Sequence, residues 1–364
     1  MSAPDVDDSV SMTSLDSEEQ SRMEKHLVTQ TVHGRVLNNT NEKYMLPADT
    51  EEHGRLDIQH EMLKAALGGL YTRPAAPAVR RALSSRKDDG SPMVLDIGTG
   101  SGSWVVDMAR QYPHAEVIGM DLAPPNFAVA PPPNVRIECD DANLGLSQYF
   151  PESFDVVHCR CITTGIINYR TLLEQIYAAL RPGGVLLTVD CDMLVYSEKQ
   201  EPILALNENE EGFTWMNKIL VSAFEAISAR NPNAKAYLQT SKWLKEMEEA
   251  GCQWEERGEK AVWVPLGTWP EELNKEPVNK RAHLAAELMR EDFYRMGATL
   301  RPLLLMSGHF EETVDRWIRM QEAELRDLKE KMYVKWIVNW AVKKKPSGSP
   351  EPDVQKSGPP AMES

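Results

Sequence analysis

Three glycines at alternate positions, Gly98, Gly100 and Gly102, follow the apolar run Val94-Leu95-Asp96-Ile97. Where a buried strand turns into a helix, glycines let the backbone bend sharply and let a ligand approach with no Cβ in the way. The free N–H groups and partial positive charge of the helix start can then hold a carboxylate or phosphate. Asp121 closes the next apolar run, Val117-Ile118-Gly119-Met120, at the spacing of about 20 residues where an acidic side chain accepts from ribose hydroxyls. Asp140-Asp141-Ala142 closes a third run. There a carboxylate can accept from an adenine amine, with Asp141 the better placed and Asp140 suited to capping the turn. Three strand ends carrying such groups in succession point to a nucleoside cofactor.

A dinucleotide loop, G-x-G-x-x-G, needs a glycine at position 103, which holds Ser103. The spacing D-x-G-x-G-x-G is the one S-adenosylmethionine binders use. A nicotinamide or flavin site, or a purely structural turn, remains the alternative. The expected cofactor contacts are Asp96, Gly98, Gly100, Gly102, Asp121, Leu122, Asp141, Ala142 and Cys159, with Tyr44 closing over the methionine end. A sulfonium methyl is already activated, so holding an acceptor in line supplies most of the rate, and a base is needed only for a protonated acceptor. His158, ending a fourth strand, is the candidate base, and Arg160 a candidate partner for a carboxylate. Asp141, Asp190 and Asp192 offer oxygen ligands but lack an Asp-Asn pairing, and Cys159-x-Cys161 lacks zinc spacing, so no metal is expected.

The elements that must position these residues alternate. Strands are expected at 93–97, 115–120, 134–139, 154–159 and 185–191, with helices at 102–112 and 169–180 between them. That alternation implies crossover connections and a mostly parallel sheet, an α/β fold. Helical spacing recurs at 52–70, 210–229, 241–250 and 281–296, and two late strands are expected within 251–264. A last helix is read from 311 to about 342, with Val314, Trp317, Ile318, Leu325, Leu328, Met332 and Tyr333 on one side. Its aromatic and basic ending, Trp336 to Lys345, could dock a partner or membrane surface or pack on its own domain. The segments are a disordered acidic tail (1–30), an N-terminal helical lid and linker (31–92), a cofactor-binding core (93–270), a C-terminal helical part (271–345) and a disordered tail (346–364). A formal charge of −15 over 364 residues repels phosphate backbones and argues against direct nucleic-acid binding. No apolar run approaches the ~18 residues of a membrane span, and the acidic start carries no secretory pattern. Five cysteines without a CxxC pair fit reduced thiols, hence cytoplasm or nucleus.

Taken together these residues resemble the class I S-adenosylmethionine-dependent methyltransferases. Narrower stretches are similar to the fungal LaeA-like methyltransferases: Tyr44-Met45-Leu46-Pro47-Ala48-Asp49, Arg55 to His60, Phe154 to Arg160, Leu180 to Gly184, and Val264 to Pro270. The resemblance covers about Tyr44 to Val342. It implies a Rossmann-like seven-stranded sheet with the last strand antiparallel, an N-terminal helical segment over the cofactor, and C-terminal helical additions. It also implies one of two roles: methylation of a small natural-product acceptor, or nuclear regulation of secondary metabolism through velvet-domain partners. The stretch from Cys161 to Tyr169 departs from the family, which usually has a tryptophan near Tyr169. A nicotinamide oxidoreductase is a third, separable reading.

Overall fold

The computed structural model describes residues 28–84, 90–146, 148–275 and 278–345. Most of both tails expected to be disordered lies outside the described residues. The described chain opens with a hairpin, β1 (Thr29–Val32) and β2 (Arg35–Asn38). Helix α1 (Thr50–Leu67) follows, capped by Asp49, whose side chain accepts the Glu52 N–H at 3.0 Å. Arg35 of β2 grips the same carboxylate through Nε (2.6 Å) and Nη2 (2.8 Å), so the hairpin fixes where the helix starts. Helix α2 (Ala76–Ala82) leads to β3 (Met93–Ile97), α3 (Ser103–Gln111), β4 (Glu116–Asp121) and β5 (Val135–Cys139). Then come β6 (Phe154–Arg160), α4 (Tyr169–Ala179) and β7 (Leu180–Tyr196). The remainder is α5 (Trp215–Arg230), α6 (Thr240–Glu249), β8 (Trp254–Pro265), α7 (Lys280–Met306), α8 (Glu311–Asp327) and β9 (Tyr333–Lys343).

Strands β3 to β9 form one seven-stranded sheet in the order β5-β4-β3-β6-β7-β9-β8. Its β3–β7 pairs are parallel, and β9 runs antiparallel to both neighbours. Alternation divides the strand side chains between two covered faces. Val94, Val117 and Val156 pack under α2 and α3 with Trp104, Val105 and Met108. Leu95, Ile118 and Val157 pack against α4 and α6 with Leu172, Leu173 and Leu244. A third cluster gathers α1, α5, α7 and α8 around Val189, Val334, Trp336 and Val338. Of these, α1, α5 and α7 roof the carboxyl ends of the strands, where ligands of open α/β sheets bind.

The sheet and the reversed last strand match the expectation, but the chain end does not. The helix read over 311–342 stops at Asp327, and residues 333–343 are the strand β9, embedded between β7 and β8. Leu328 ends the helix in the left-handed region (φ 49), so no glycine or proline marks the stop. Trp336-Ile337-Val338-Asn339-Trp340-Ala341-Val342 is buried nearly throughout because strands cover both its edges and helices both its faces. It is therefore core, and neither a docking helix nor part of a C-terminal helical addition. Correspondingly, 251–264 supplies one late strand rather than two. Helix α7 also runs ten residues beyond its expected end at Met296.

Candidate functional site

A cavity of about 170 Å³ opens at the carboxyl edge of the sheet. Its floor is a series of strand ends: Ile97 to Gly100, Met120 to Leu122, Asp140 to Ala142, Arg160 to Ile162, and Cys191 to Met193. Tyr44, Leu46, Leu56 and Gln59 cover it from the N-terminal segment, and α5 and α7 close the far side with Leu220, Ile227, Phe293, Met296 and Leu300.

The glycine loop is under backbone constraint. Gly98 and Gly100 have φ of 74° and 58°, values an L side chain rarely adopts. A Cβ on Gly98 would lie 2.4 Å from Ile162 Cγ2, and one on Gly100 would lie 2.9 Å from Leu56 Cδ1. The loop folds onto Asp121, whose Oδ2 accepts the Gly100 N–H at 2.7 Å and whose Oδ1 accepts the Ala123 N–H at 3.3 Å. Burial pushes the Asp121 carboxyl up to about 6, with the surrounding N–H groups pulling the other way.

At the third strand end Asp140 caps the turn, its Oδ1 accepting the Asp141 N–H at 2.8 Å and its Oδ2 accepting from Gln148 at 3.0 Å. Asp141 caps the short turn after it. Its Oδ1 accepts from the backbone (2.9 Å) and side chain (2.8 Å) of Asn143. Asn41 and Asn143 both donate to the Gly165 carbonyl, at 3.1 and 2.9 Å, binding the N-terminal strap to the cavity rim beside Tyr44. The hydroxyls of Thr99 and Thr164, both lining the cavity, are buried without a hydrogen-bond partner among the described residues.

Of the residues expected to touch a cofactor, Tyr44, Gly98, Gly100, Asp121, Leu122, Asp141 and Ala142 line the cavity. Asp96, Gly102 and Cys159 do not. Gly102 sits at the N-cap of α3, and the Cys159 thiol is sealed in the core under α4, where burial raises it well above its ordinary value. The expectation for His158 is corrected. It pairs with Asp96 inside the sheet, Nδ1 lying 2.7 Å from Asp96 Oδ1, and its ring stacks on Trp104 at 3.9 Å. Burial lowers its pKa, and its place beneath α3 removes it from any acceptor in the cavity. Asp96 thus serves as the partner of that histidine.

Arg160 does line the cavity, with one N–H donating to His60 Nδ1 at 3.2 Å, and among the described residues it has no carboxylate ion pair. Three features escaped the sequence reading. One is the buried network of Arg55 with Glu52 (2.5 Å) and Asp292 (2.5 Å), joined by Gln59 and Thr299, which ties α1 to α7 above the cavity. Another is Glu324, which accepts the first N–H groups of α5 (Trp215, 3.0 Å; Met216, 2.9 Å). The third is the pair of phenols on Asp192, a floor residue weighed in the sequence only as an oxygen ligand: its two oxygens accept the hydroxyls of Tyr196 (2.5 Å) and Tyr237 (3.1 Å). Asp190, two residues before it, takes Thr163 at 3.4 Å and is pushed up to about 7 by burial.

A family model described as a methyltransferase domain matches residues 94–184. The secondary metabolism regulator laeA of Coprinopsis cinerea is 33% identical over 288 residues, covering 78% of this chain and 66% of that protein. The methyltransferase pytC of Aspergillus terreus is 31% identical over 296 residues, covering 80% of this chain and 78% of that one. Among solved structures, phosphoethanolamine N-methyltransferase 2 of Haemonchus contortus with S-adenosyl-L-methionine is 18% identical with a TM-score of 0.40, covering 80% of this chain and 57% of that one.

Proposed function

The chain belongs to the LaeA-like branch of the class I S-adenosylmethionine-dependent methyltransferases, and from that premise we propose that it methylates a small natural-product acceptor in fungal secondary metabolism. The observation that carries the site is the glycine loop closing on Asp121 in a cavity that also contains the next strand end, Asp141. In this reading Asp121 accepts the ribose hydroxyls, Asp141 Oδ2 and Ala142 receive the adenine, and the backbone of Gly98 and Gly100 carries the methionyl end under Tyr44. When bound, the cofactor supplies a methyl group on a positively charged sulfur. The protein's own part is to hold it, exclude water and align an acceptor among Leu220, Ile227, Phe293, Met296 and Leu300. The buried Arg55–Asp292 link keeps α1 and α7 together over that space.

The test is incubation of purified protein with methyl-labelled S-adenosylmethionine and an organic extract of a producing fungus. Label moving into the extractable small molecules supports the reading. Label moving only into added protein, or staying on the cofactor, contradicts it.

A second reading rests on the regulator relative: a chain in cytoplasm or nucleus acting through a velvet-domain partner. Phe150 and Leu144, 84% and 78% exposed, would offer such a partner apolar contact. Pull-down with a purified velvet-domain protein tests it, and no capture contradicts it.

A further inference from the structure

The α5 and α7 side of the cavity is apolar, and the β7 stretch of its floor, Cys191 to Met193, carries a carboxylate with no ion pair among the described residues. Asp192 is 7% exposed, lines the cavity and, among the described residues, forms no ion pair with arginine or lysine. It is held instead by two phenols from separate elements, Tyr196 on β7 and Tyr237 on the turn before α6. Burial and the neighbouring carboxylate push both phenols well above their ordinary range, so they remain donors. Each Asp192 oxygen therefore spends one acceptor site on a tyrosine and keeps another. Two donors from separate elements call for an acceptor on each oxygen, and the sites they leave free border a cavity whose α5 and α7 side is apolar. Cys161 and Cys191, which also line the cavity floor, are thiols that burial holds above their ordinary values, which leaves them poor proton acceptors.

We propose that Asp192 anchors the methyl acceptor, taking a hydrogen bond from a hydroxyl or N–H on an otherwise apolar molecule and receiving that proton during transfer. The step balances. The acceptor's oxygen or nitrogen forms the bond to the methyl carbon, and the carbon–sulfur bond breaks with its electron pair going to sulfur. The proton moves to Asp192, which later gives it to water. An acceptor that is itself a carboxylate is disfavoured, because it needs no base and meets a like charge in a low-dielectric wall. Tyr196 and Tyr237 are positioning residues that fix the plane of the carboxylate. The proposal rests on the cofactor reading above, and its test separates the two.

The probes are 2-naphthol and 2-naphthoate, equal in their apolar body and different in the polar group. First, S-adenosylhomocysteine is titrated into the wild-type protein; absence of binding removes the cofactor reading, and this proposal with it. With that ligand bound, wild-type protein is expected to bind 2-naphthol at least about tenfold more tightly than 2-naphthoate. In Asp192→Asn, with folding followed by circular dichroism, that preference is expected to shrink to about threefold or less. Methyl transfer to 2-naphthol is expected to slow at least about 100-fold. Equal or tighter binding of 2-naphthoate, binding of neither probe, or a preference and transfer rate that survive the substitution each overturns the proposal. The wild-type discrimination decides the matter if the variant does not fold.

Discussion

Asp121 is the residue at which stability and binding pull apart. Burial holds its carboxyl at about 6 in the folded chain, above the ordinary 3.8. A raised carboxyl favours the fold at low pH, and that contribution fades as pH climbs from 3.8 through about 6. Asp121→Asn is spared that loss. Its stability relative to wild type, read by urea denaturation of ligand-free protein, is expected to be about 1 kcal/mol more favourable at pH 8 than at pH 5. His158 carries the opposite sign. Its lowered value means that acid below the ordinary 6.5 favours the unfolded chain, and His158→Ala should cost about 3 kcal/mol near pH 7 by leaving the buried Asp96 alone. A fall in activity without that loss of stability would contradict a structural role. The glycine loop and the carboxylates at 121 and 141 were legible in the sequence because their signal is local spacing. His158 was not, since sequence shows that it alternates with Val157 and Cys159 but not which face of the sheet each takes. The Asp192 anchor needs a tyrosine 45 positions away, and no local pattern reveals such a pair.

At the scale of elements, the informative failure is the stretch from Leu325 to Val342. An apolar face at helical spacing ran without a breaker into a run rich in tryptophan and branched residues, and a short buried run fits either period. Propensity favours a strand for that run, and the vacancy between β7 and β8 settles it. Val338→Pro tests this placement: it removes a ladder donor at mid-sheet and is expected to cost at least about 3 kcal/mol or prevent folding, measured by thermal melting. A mild effect would place the segment outside the sheet. The roof is held differently, by buried charge. Asp292→Ala leaves Arg55 with Glu52 alone beneath α7 and is expected to cost about 3 kcal/mol in urea denaturation. The helix α1 was visible in sequence from its apolar positions, but its buried Glu52, Arg55 and Gln59 were not, because their partners come from α7, more than two hundred residues later.

The whole molecule is a mostly parallel sheet whose carboxyl edge is roofed by the N-terminal segment and by α5 and α7. Its charge of −15 makes nonspecific attraction to nucleic acid weak, and no gel retardation of duplex DNA is expected at 150 mM salt or roughly so. The central claim is that the bend at Gly98–Gly102, closed on Asp121, holds an adenosyl cofactor. Calorimetric titration with S-adenosylhomocysteine into wild type and Asp121→Ala tests it most directly. Micromolar binding, about −8 kcal/mol, is expected for wild type and at least tenfold weaker binding, or about 1.4 kcal/mol, for the variant. Equal affinity in the two proteins, or no heat with either, would contradict it.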